Sequence, residues 1–173
     1  MLIRHLLKSA PIFLFFYLIQ EAVVSQFHLL GGGISIFLLF ALVWSVLGSP
    51  EVAAATGFAT GVMMDLSQSS SGPIGQWALI MIITCYAISF LGYGDESIHG
   101  SPAGIIFLVV LGCVASEILF LVSAALFGVD TGDVWHLLFT ILGSALWAIV
   151  FTPIFLPLFS FLRSSAMDSR SSI

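Results

Sequence analysis

Basic residues are nearly missing from this sequence: its 173 residues include four Lys and Arg against nine Asp and Glu, and charged residues make up 8% of it. So little positive charge cannot neutralise a phosphate backbone, which excludes nucleic acid as a partner. The four are Arg4, Lys8, Arg163 and Arg170, and two at each end fall short of the cluster that an anionic-lipid switch needs. Cysteine is scarce as well. Cys85 and Cys113 both fall inside apolar runs, where thiols act as small apolar fillers and imply neither a disulfide nor a zinc site. Catalytic motifs are absent too: there is no HExxH and no nucleophile elbow. Gly31, Gly32 and Gly33 lack the Lys and Ser/Thr of a phosphate loop, and the serines between 67 and 71 have no nearby base. The expectation is a protein that is not an enzyme and carries no cofactor.

What the chain has in abundance is apolar surface. Hydrophobic residues are 60% of it, and its mean hydropathy is +1.17. No water-soluble domain has that balance, so the sequence predicts a single transmembrane domain over 1–173, all-α and polytopic, in contact with membrane lipid. Basic residues mark the cytoplasmic flanks of membrane helices. Their confinement to the two ends therefore predicts an even number of spans, with both termini cytoplasmic, in an inner-membrane type of bilayer. The apolar stretch after Lys8 covers about 20 residues, longer than the roughly 7 to 15 of a signal-peptide core, so an uncleaved first helix is expected.

Six helices follow from the apolar runs and their breaks, at about 11–30, 34–47, 51–66, 74–91, 103–127 and 134–161. Pro11 opens the first, where a missing N–H costs nothing. Gly31 to Gly33 turn the chain, and Gly48, Ser49 and Pro50 separate the second helix from the third. These two are short, about 21 and 24 Å at 1.5 Å per residue against a hydrocarbon core of about 30 Å. They either borrow flanking residues or form a hairpin shielded by the others. A single bent span over 34–66 is the alternative, and it would put the termini on opposite sides. Pro153 and Pro157 should kink the end of the last helix.

In the third helix Ala53, Gly57 and Gly61 recur every four residues and form a face with almost no side-chain volume. Such a ridge lets another backbone approach closely, either within the chain or from a different protein. Asp65 follows one turn later, with a structural role in binding the backbone of 67–71 and, as alternatives, direct partner contact or chemistry. Glu21 and Glu117 lie within apolar helices without a Lys or Arg to pair with, so each needs a hydrogen bond, water or a proton. They could line a polar bundle interior or a proton pathway. Asp130, Asp133 and His136 could ligate a metal, but the set lacks a fourth group, and no metal is expected; Asp133 capping the last helix is the plainer reading. Trp77 and Trp135 are expected as interfacial anchors.

One stretch resembles a known family. Gly57, Phe58, Ala59, Thr60, Gly61, Val62, Met63, Met64, Asp65 and Leu66, then a serine-rich turn, then Gly72, Pro73, Ile74, Gly75, Gln76, Trp77, Ala78 and Leu79, with Tyr86 beyond, are similar to the rod shape-determining protein MreD family. The resemblance implies a non-catalytic inner-membrane component of the bacterial cell-wall elongation machinery. Its partners would be MreC first, then MreB, RodA and its transpeptidase. It also implies a six-helix bundle like the substrate-binding subunits of energy-coupling-factor transporters. Ala53, Gly57, Phe58, Gly61, Asp65, Gly72 and Gly75 become candidates for partner binding or helix packing. The competing reading is a vitamin-binding transport subunit with Glu21, Glu117 and Trp135 lining its cavity.

Overall fold

A computed structural model of the chain describes residues 2–22, 35–67, 73–93, 101–128 and 133–167, and over these it is all-α. The described residues form six helices, α1 Leu2–Ala22, α2 Ile36–Val46, α3 Pro50–Asp65, α4 Gln76–Tyr93, α5 Pro102–Leu126 and α6 Val134–Met167. Three of them, α4, α5 and the Leu137–Leu162 part of α6, are long and apolar enough to cross a membrane.

Serines start several of these helices. Ser35 Oγ accepts from the Leu38 N–H at 3.1 Å, and Ser101 Oγ accepts from that of Gly104 at 3.0 Å; each satisfies a donor that the first turn leaves without a partner. Ser49 precedes Pro50, which occupies the first helical position of α3. The Leu47 to Ser49 break leaves two helices where a single bent span was the alternative.

Two boundaries depart from the sequence reading. α1 begins at Leu2, so Pro11 lies inside the helix instead of at its start, and Arg4 and Lys8 are part of it. The leucines, Lys8 and Ala10 are strong helix formers. Pro11 withdraws only the one donor that the Leu7 carbonyl would have used. Residues 23–30 of the expected first helix and the turn at Gly31 to Gly33 lie outside the described residues. α6 runs through Pro153 and Pro157 to Met167, beyond the expected end at 161. Each proline removes a single backbone bond without ending the helix; Ser160 Oγ also donates to the Pro157 carbonyl, at 3.0 Å.

α2 sits at the centre. Residues 37–46 are all buried, and α2 packs against each of the other five helices. At 1.5 Å per residue it is about 16 Å long, half of a hydrocarbon core, and its neighbours shield it over its whole length. On one side of it lies a cluster of rings. Phe16 of α1 stacks on Phe40 with centroids 4.4 Å apart, and Phe159 of α6 meets Phe40 edge-on at 5.0 Å. Phe13 of α1 closes the group against Phe40 and Trp44 at 4.8 and 5.5 Å. On the other side α5 comes close enough at Gly112 to touch Leu42 of α2 and Ile88 of α4.

Candidate functional site at the joint of α3 and α4

The small-residue ridge of α3 faces α4. Ala53, Gly57 and Gly61 are buried, and so are Thr56 and Thr60 beside them. A Cβ on Gly57 would overlap the Met81 carbonyl, and one on Gly61 would lie 2.7 Å from the Ala78 nitrogen. Both obstacles are backbone atoms, which cannot rotate aside. The helices thus touch main chain to main chain, an arrangement that gains dispersion contact where lipid supplies no hydrophobic drive between helices. Thr60 keeps its hydroxyl satisfied inside this contact by donating to the Thr56 and Gly57 carbonyls of its own helix, at 2.8 and 3.1 Å.

Asp65 completes the joint. Its carboxylate accepts from the N–H groups of Gly75, Trp77 and Ala78, each at 3.0 Å. The start of α4 is therefore capped by a side chain from the end of α3, and the favourable charge–dipole sense adds to the three bonds. Asp65 was expected to hold the backbone of 67–71; its described partners lie further on, across the turn. Gly75 makes the approach possible. It occupies the third place of the turn from Pro73, closed by the Gln76 N–H to the Pro73 carbonyl at 3.1 Å, and its φ of +97° is a value that L side chains avoid.

Neighbouring polar groups tie α1 to the same end. Glu21 accepts from Ser67 Oγ just beyond α3, and Gln20 Oε1 lies 3.5 Å from the Phe37 N–H at the start of α2. Gln76, which sequence reasoning did not single out, is 6% exposed. Its Nε2 donates to the Phe120 carbonyl and to Ser123 Oγ of α5 at 3.2 and 2.6 Å. Trp77 stacks on Phe120, centroids 4.7 Å apart, and so braces α4 against α5; Trp135 is exposed. The signal for Gln76 was a lone amide opening an apolar helix, where it must find a partner or stay near the headgroups.

The remaining candidates lie apart from this joint. Phe58 points away from α4 and is 55% exposed. Gly72 and Asp130 lie outside the described residues. Glu117 meets Ser144 of α6, so Glu21, Glu117 and Trp135 have different surroundings. Asp133 accepts from the Trp135 N–H at 3.4 Å. Among the described residues no group of three His, Cys, Asp or Glu could hold a metal ion.

No family model, curated protein or solved structure matches the chain.

Proposed function

We propose that the chain is a multi-pass, non-catalytic membrane component of the bacterial cell-wall elongation machinery, of the MreD kind, which docks MreC and through it associated proteins to maintain rod shape. The supporting observation is mechanical. Five of the residues that carry the resemblance, Gly57, Gly61, Asp65, Gly75 and Ala78, converge on one joint: two glycines and an alanine at a backbone contact, a carboxylate capping the facing helix and a glycine turning the chain between them.

In this reading six helices cross or enter the bacterial inner membrane, both termini are cytoplasmic, and α2 with α3 forms the shielded hairpin of a bundle resembling energy-coupling-factor substrate-binding subunits. The ridge of α3 is filled by α4, so a partner helix meets the outward side. Phe58 on α3 and Leu79, Ile83, Tyr86 and Phe90 on α4 are exposed there, and the α4 four share a helical face. Photo-crosslinking residues placed at Phe58, Leu79 and Tyr86 should yield an adduct with the membrane helix of MreC in cells, and depletion of the chain should turn rods into spheres. A normal cell shape after depletion, with no elongation protein co-purifying, would sink the proposal.

A further inference from the structure

We infer that Glu117 is a proton-binding site within the contact of α5 and α6: its carboxyl carries a proton and donates it to Ser144 Oγ, clasping the two helices. The inference rests on α5 lying in the bilayer, as the proposed function requires. Glu117 stands 15 residues after Pro102 and 9 before Leu126, about 22 and 13 Å from the two ends of α5, and so deep within the hydrocarbon.

Three observations fix the chemistry. First, Glu117 Oε2 is buried and has no hydrogen-bond partner. A carboxylate oxygen left this way in an apolar interior is strongly unfavourable, whereas the carbonyl oxygen of a neutral acid is far less so. Second, the Ser144 hydroxyl beside Glu117 already gives its hydrogen to the Ile141 carbonyl at 2.9 Å. A hydroxyl has one hydrogen and two lone pairs, so towards Glu117 it accepts, and an acceptor requires the carboxyl to hold the proton. The chain from Glu117 O–H to Ser144 O–H to the Ile141 carbonyl then runs in one direction, each bond strengthening the next. Third, no cation is at hand, since every Lys and Arg lies at positions 4, 8, 163 and 170.

The other titratable groups on the packed elements leave this assignment intact. α2 has none, and α6 has none over Leu137–Leu162. On α4, Cys85 is fully buried next to Ser45 of α2, while Tyr86 and Tyr93 are exposed. On α5 itself Cys113, one turn before Glu117, is buried and also meets Ser144, whose two lone pairs can accept from both groups. Loss of the proton would put an uncompensated charge between α5 and α6, so the site couples that contact to proton release.

The test uses the full chain in lipid vesicles after an alkaline carbonate wash, which retains integral protein and checks membrane insertion separately. The infrared difference between wild type and Glu117→Gln should contain the C=O stretch of a protonated carboxylic acid, moved to higher frequency in Ser144→Ala as the O–H loses its acceptor. A carboxylate stretch in its place overturns the inference. Should Glu117→Gln not fold, dicyclohexylcarbodiimide on the wild type decides. The acid O–H adds across a C=N bond of the reagent, the oxygen bonding to carbon and the proton going to nitrogen, and acyl transfer then leaves a stable N-acylurea. Peptide mass mapping should find that adduct on Glu117 and none on exposed Glu51; an unlabelled Glu117 overturns the proposal.

Discussion

The joint of α3 and α4 and the ring cluster around α2 achieve close packing by opposite means. At the joint, side chains are almost absent and the two backbones meet directly, with Asp65 matching the free donors of the facing helix. Around α2, aromatic rings from three helices fill the space between them. The first geometry leaves no slack for an added atom. The second depends on volume, and suffers when atoms are removed. One bundle therefore has a region sensitive to enlargement and a region sensitive to truncation.

The largest expected effects fall on these two sensitivities. Phe40→Ala should lower stability by about 3–5 kcal/mol by opening a cavity where four rings converge, and Gly61→Leu should lose about 3 kcal/mol or more because its obstacle is the backbone of Ala78. Both are measured as the loss of folded protein in a detergent denaturation series. Asp65→Ala should come next, at about 2 kcal/mol, since it strands three N–H groups at once; hydrogen exchange at Gly75, Trp77 and Ala78 should quicken selectively. Gly57→Ala sharpens the contrast further. In an ordinary helix interior that change gains about 1 kcal/mol, but here the new methyl meets the Met81 carbonyl, so melting temperature should fall. A more stable Gly57→Ala protein would break the comparison. The smallest effect should be at Tyr86→Ala, where the exposed ring contributes under about 0.5 kcal/mol, leaving capture of a partner as the property that changes.

Much of the joint was visible in the sequence. The four-residue spacing of Ala53, Gly57 and Gly61 selects one helix face, and the Gly48 to Pro50 break separates α2 from α3, because both depend on local geometry alone. The reach of Asp65 past its own turn to Gly75 and Ala78 was not visible, since it depends on how the chain between them folds back. The true start of α1 was hidden by two correct generalisations, that proline favours a first turn and that basic residues flank apolar spans; in a helix already propagating from Leu2, neither marks an end. The complete burial of α2 was equally hidden. Its composition is that of any lipid-facing helix, and only the arrangement of five neighbours buries it.

That arrangement bears on how the protein is made. A helix of about 16 Å is too short to span a bilayer core on its own, and the ring that covers Phe40 from α6, Phe159, is synthesised long after it. α2 must therefore wait, with its aromatic flank bare, until α6 arrives. Nascent chains stopped short of α6 should be the forms that membrane quality-control proteases recognise first.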